Sequence, residues 1–236
     1  AGTGTARRAL EMGAVHCFPK PLHSSREEFD ATVRQLGEIV IKAANGELPG
    51  SGAGTEDGQA EAGPGEAPGG SFRSDGSIVA LAAGTAGLET ARQVIATYDD
   101  QCPATIVLFA ADPGAVENAV RAMRHSLPCR LENAVDGGAL EPGKVWLVFD
   151  PAYHGIVEPG QPPRLRLVAR DPVGGARPAA DLLFGSLARS GLPGVGGLLT
   201  GSGSDGVKGL QLLIEARARG FIQSPVEYAP RDRYDA

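Results

Sequence analysis

The stretch Gly201-Ser202-Gly203-Ser204-Asp205-Gly206 sets one carboxylate inside a glycine-rich turn, between an apolar run at 195–200 and a helical pattern at 207–219. Strand, turn and helix in that order present groups at the carboxyl edge of a parallel sheet, where open α/β proteins hold ligands. A second turn, Gly84-Thr85-Ala86-Gly87, follows the strand-like run at 78–83. The chemistry on offer in the first turn is that of its single acid, Asp205.

Other constellations are weaker. Gly201–Gly206 fits G-x-G-x-x-G, with Glu227 about twenty residues on, so a nucleotide-binding α/β module is one reading. That fingerprint normally opens a fold, whereas here it stands late in the sequence. No G-x-S-x-G nucleophile elbow occurs. Of the four histidines, His16 and His23 lie near the start, and His125 and His154 read as surface or packing residues. The three cysteines, Cys17, Cys102 and Cys129, are odd in number and form no C-x-x-C pair. Neither a disulfide framework nor a zinc site is expected, and a reducing cytoplasm is the default setting. No cofactor and no metal are expected.

The elements that must position these groups alternate. Strands are expected at 78–83, 104–111, 144–149 and 195–200, with weaker ones at 129–134, 164–168 and 220–223. Helices are expected at 88–97, 115–124, 181–190 and 207–219. Near-continuous apolar strands suit a sheet buried on both faces. The fold class is thus α/β: a doubly wound, mostly parallel sheet with helices on both faces. The strands flanking Asp136-Gly137-Gly138, with the run 164–168, read as a β-hairpin excursion. At the start, a helix at 5–12, a strand at 14–18 and a helix at 25–44 make a small piece that cannot close a core alone.

Charge divides unevenly. The whole chain carries −6. Residues 46–76 hold six acids (Glu47, Glu56, Asp57, Glu61, Glu66 and Asp75) against Arg73, a net −5. Ten glycines and three prolines in the same stretch predict a flexible linker. The near-neutral remainder offers no basic nucleic-acid surface. No apolar run approaches the ~20 residues of a membrane span, so no membrane insertion is expected.

These residues resemble a known family. Glu141-Pro142-Gly143, Arg177-Pro178, Asp181-Leu182-Leu183-Phe184 and Leu199-Thr200-Gly201 running into Gly203 and Asp205-Gly206 look like the catalytic domain of CheB-type chemotaxis protein-glutamate methylesterases. Gly13-Ala14-Val15 with Phe18-Pro19-Lys20-Pro21 is similar to the end of the receiver domain that precedes it in that family. The resemblance implies three parts: 1–45 as the C-terminal fragment of a receiver-like domain with its connecting helix, 46–76 as linker, and 77–236 as a methylesterase-like domain, shortened at its C-terminus. Ala229-Pro230-Arg231 would be a vestige of the family's closing motif.

The resemblance also implies what has changed. The family's nucleophilic serine falls on Gly84 and its basic histidine on Ala111, while the acid is kept as Asp205; its turn methionine falls on Ser202. The implied role is a cytoplasmic response-regulator methylesterase homologue with impaired catalysis, a regulatory or binding module whose partner is a methyl-accepting chemoreceptor or another signalling protein. An alternative keeps an active methylesterase or deamidase working through Thr85 as nucleophile with Asp112 or Asp205 as base, although a carboxylate is a weak base near neutral pH unless its pKa is raised. If the family geometry is intact, Gly84→Ser together with Ala111→His should restore some turnover.

Overall fold

The computed structural model describes residues 16–20, 36–38, 40, 76–121, 123–201 and 203–225. In chain order these form β1 (His16–Lys20), β2 (Ile78–Gly84), α1 (Leu88–Ala96), β3 (Ala104–Ala110), α2 (Pro113–Arg121) and β4 (Arg130–Asn133). There follow β5 (Gly138–Ala139), β6 (Lys144–Val148), β7 (His154–Glu158) and β8 (Arg164–Val168). The chain continues with α3 (Ala180–Ser190), β9 (Gly194–Leu198), α4 (Val207–Glu215) and β10 (Arg219–Pro225).

Seven strands pair in parallel in the order β1-β10-β9-β2-β3-β6-β4. Strand β2, Ile-Val-Ala-Leu-Ala-Ala-Gly, is buried along its whole length. Its odd-numbered residues Val79, Leu81 and Ala83 enter one core with α1, α2 and the helical residues Leu36 and Val40. Its even-numbered residues Ile78, Ala80 and Ala82 enter the other, with α3, α4 and the small sheet. The period of two explains why no polar residue interrupts the strand: both faces are covered. Each Val, Leu or Ile so buried contributes roughly 1.5–3 kcal/mol. The doubly wound α/β fold expected from the sequence is the one observed.

Some details differ. Strand β4 lies parallel to β6 at the edge of the main sheet and is not a hairpin arm. The antiparallel excursion is instead β7 against β8, with β5 on the far side of β8. The turn at Asp136 serves β5 rather than β4: Asp136 Oδ1 accepts from Leu167 N at 3.0 Å and from Arg166 Nε at 2.7 Å, tying it to β8. Strand β7 had no sequence signal, since His154 and Gly155 break its apolar pattern.

Helix α4 ends at Glu215, short of the expected 219, in a Schellman closure. Arg217 takes a left-handed φ of 65°, Arg217 N donates to Ile214 O and Ala218 N to Leu213 O. Strand β1 runs on through Pro19, beyond the expected end at 18. It is an edge strand, where a proline removes no needed donor. The expected helix at 5–12, most of 25–44, the linker up to residue 75, Ser202 and Ala229-Pro230-Arg231 lie outside the described residues.

Candidate functional site

Strands β2 and β9 are neighbours, yet the chain leaves β2 towards β3 and arrives at β9 only after completing that half of the sheet. This reversal puts the turns after β2 and β9 side by side at the carboxyl edge, the usual ligand position in open α/β sheets. Gly84 N donates to Thr200 O at 3.2 Å, Leu199 N to Ala82 O at 2.8 Å, and Thr200 Oγ1 to Ala86 O at 3.4 Å. The two turns are pressed together. A Cβ on Gly84 would fall deep inside the Gly201 carbonyl, and one on Gly87 would meet the Thr200 carbonyl. Gly201 itself has a φ of 91°, a conformation that L side chains rarely adopt.

Behind the turns stands Gln223, near the end of β10 and 4% exposed. Its Oε1 accepts from Thr200 N at 3.2 Å, and its Nε2 reaches Thr90 Oγ1 of α1 at 3.5 Å. One amide thus joins β10, the β9 turn and the helix that follows the β2 turn. The only sequence signal for it was a polar residue closing an apolar strand.

The two carboxylates are already engaged with backbone. Asp112 Oδ1 accepts from Ala115 N at 2.9 Å, and Pro113 occupies the first helical position of α2. That is an N-cap with proline behind it, a helix start that the expected helix at 115–124 missed. It also explains why α2 begins at 113 rather than 115. Asp205 reaches further. Its Oδ2 accepts from Ala180 N at 2.7 Å and its Oδ1 from Asp181 N at 3.1 Å, so it caps α3, whose own N-cap residue is Ala179. Asp181 Oδ1 in turn accepts from Gly209 N of α4 at 2.8 Å. Each helix start is closed by an acid from the other's segment. Gly209 lets the helices approach this closely, because a Cβ there would strike the backbone of Asp181.

The loop leading into α3 is fixed from below. His154 is fully buried; its Nδ1 accepts from Ala179 N at 3.1 Å, leaving Nε2 to donate to Asp171 O at 3.2 Å. The Arg177 guanidinium donates to the Pro151 carbonyl and to Arg170 O. His154 is accordingly a packing residue, and His125 is exposed at the end of a short 3-10 turn. Burial lifts the Asp205 carboxyl above its ordinary 3.8, against the pull of the Ala180 and Asp181 amides.

Thr85 is exposed in the 3-10 turn at 85–87, and Ala111 is partly buried against the α1/α2 core. The arrangement gathers backbone amides, Thr85 and a half-buried carboxylate at one edge. Among the described residues no group of three or more His, Cys, Asp or Glu side chains could hold a metal ion, and no helix is long and apolar enough to cross a membrane.

Comparison with known proteins supplies a family. The family model described as CheB methylesterase matches residues 79–230. A protein-glutamate methylesterase/protein-glutamine glutaminase of Caulobacter vibrioides is 34% identical over 229 residues, covering 94% of this chain and 63% of that protein. A protein of the same description from Agrobacterium fabrum is 31% identical over 224 residues, covering 94% and 62%. The chain therefore spans about 63% of the length of the curated relatives it matches. Among solved structures, the Thermotoga maritima CheB methylesterase catalytic domain superposes with a TM-score of 0.57 at 21% identity, over 62% of this chain and 78% of that one. At that identity the likeness bears on the fold alone.

Proposed function

The chain belongs to the CheB methylesterase family, and on that premise we propose that it serves receptor signalling as a binding module with impaired esterase turnover. The observation that carries this reading is Gly84. On the resemblance read from the sequence the family's nucleophilic serine falls at this position, and the Gly201 backbone fills the space a side chain would need. On the same resemblance the family's histidine falls on Ala111, whose methyl group offers no proton acceptor. Loss of nucleophile and base together removes a unit whose members individually contribute on the order of 10⁶ in rate.

The kept acid fits the same reading. In a Ser-His-Asp set the aspartate orients an imidazole. Here the Asp205 oxygens hold the first amides of α3, so the residue has a structural duty that persists without a histidine. The same carboxylate argues against the nucleotide-binding alternative, because it puts negative charge in the turn where a pyrophosphate would sit. The proposed partner is a methyl-accepting chemoreceptor or another signalling protein presenting glutamyl side chains.

The test is methanol release from a methylated chemoreceptor, run beside a measurement of receptor binding. Binding without release is the expected result. The competing reading, an active enzyme working through the exposed hydroxyl of Thr85, requires release that disappears in Thr85→Ala; that outcome would overturn the proposal.

A further inference from the structure

Beside the candidate site, the loop that leads into α3 borders an open cavity of about 680 Å³. Pro172, Val173 and Leu182 give the cavity an apolar lining, and Arg170, Asp171 and Arg177 give it charge. Leu182 stands in the first turn of α3, next to the Ala180 and Asp181 amides that Asp205 holds. The cavity therefore adjoins the carboxyl edge but is walled by a different loop.

That loop is braced along its length. The buried His154 holds both of its ends, through Asp171 O and Ala179 N. Between them, Val173 and Ala176 exchange two backbone hydrogen bonds of 3.0 Å around Gly174-Gly175, whose φ values of 59° and 85° close the turn. The Arg177 guanidinium donates through Nη1 to Arg170 O at 3.2 Å and through Nε to the Pro151 carbonyl. A surface fixed in this way needs no ordering when it binds, which removes one cost of association.

Its positive charge is unanswered. Arg92, Arg124 and Arg166 are paired with carboxylates, whereas neither Arg170 nor Arg177 has a carboxylate at ion-pair distance among the described residues. Both are exposed. Two arginines outweigh the one aspartate in the lining, Asp171, and the oxygens of Asp181 and Asp205 are engaged by backbone amides. The turn at 150–153, which supplies the Pro151 carbonyl, also carries Tyr153, one of three exposed large apolar residues among those described. Arginine and tyrosine beside an apolar lining are the residue types that protein interfaces concentrate.

We propose that this cavity docks an acidic segment of the signalling partner, whose glutamyl carboxylates meet the Arg170 and Arg177 guanidinia. That assignment rests on the reading of the chain as a binding module and gives the role one surface. The occupant follows from charge. Two cations without internal carboxylates match a segment that presents glutamates, and the guanidinium fork suits the two oxygens of a carboxylate. A neutral or basic segment leaves both cations unpaired.

The test titrates the full chain with two probes: the signalling domain of a methyl-accepting chemoreceptor, and a helical peptide of glutamate and alanine. Both should bind, with movement of the amide resonances of residues 173–176 and an affinity that falls as salt rises. Arg170→Glu should weaken both by about tenfold. Arg121→Glu makes the same charge change at the exposed end of α2 and should change neither by more than about twofold. A peptide with glutamine in place of glutamate should not bind. The urea midpoint of Arg170→Glu should match wild type, because the Arg170 side chain makes no hydrogen bond or ion pair with any described residue. Receptor binding that Arg170→Glu leaves intact would overturn the cavity as docking site while the binding-module reading stands. Peptide binding at residues 173–176 without receptor binding would support the cavity and remove the chemoreceptor as partner. Failure of both probes to bind would overturn the docking site and the choice of partner together.

Discussion

The turns after β3 and β9 each bring one aspartate to the same edge of the sheet, and each aspartate caps a helix. Asp112 caps its own helix, three residues along the chain, with one exposed hydrogen bond. Asp205 caps a helix that begins 25 residues earlier, with two partly buried hydrogen bonds, and the favour is returned by Asp181. The first device sets where a helix starts. The second holds two helices and two turns in register, and so decides whether the edge has a fixed shape. A carboxylate that looks catalytic in a sequence can owe its place to backbone amides it meets only in the fold.

The sharpest way to break this comparison starts where the β2 and β9 turns press together. Gly84→Ser must push its Cβ into the Gly201 carbonyl, so urea unfolding should register a loss of about 3 kcal/mol. For the same reason Gly84→Ser with Ala111→His should release no methanol, contrary to the rescue that intact family geometry would give. Turnover by the double variant would mean that the β9 turn yields easily, and would undo the claim that the edge is rigid.

Asp205→Ala leaves two amides at the start of α3 without an acceptor and should cost about 2 kcal/mol. Asp112→Ala loses one exposed cap and should cost about 1 kcal/mol. Both are read from chemical denaturation. Equal losses would erase the distinction between a local cap and one that ties distant segments. Asp181→Ala in the Asp205→Ala background sharpens it further: the second loss should differ from that in wild type, because the two acids share one junction.

The smallest effect is in acid. Burial raises Asp205 above 3.8, so the native state holds its proton more tightly than the unfolded chain does. That contribution is fully present below the unfolded value and is lost as pH rises through the native one. Between those limits wild type should lose stability relative to Asp205→Asn, whose side chain does not titrate. The difference in melting temperature should then stay level towards neutrality. A difference that moved the other way would mean the amides outweigh burial.

The alternation of apolar runs in β2, β3, β6 and β9 and the turns between them determined the parallel sheet, because a strand buried on both faces needs an unbroken apolar sequence. Asp112-Pro113 likewise determined a helix start, since cap and first turn are adjacent in the chain. Only the tertiary structure decided the rest. Strand β4 pairs with β6 although a glycine turn beside it suggested a hairpin, because pairing depends on which strand lies alongside. Gln223 joins Thr200 to Thr90, and Asp205 joins α3 to the β9 turn, through contacts between residues far apart in sequence. The closure of Gly84 against Gly201 belongs to the same class. Residue type and spacing determine local backbone preferences; which backbone atoms crowd one another at the sheet edge is settled only when two helices and four strands pack together.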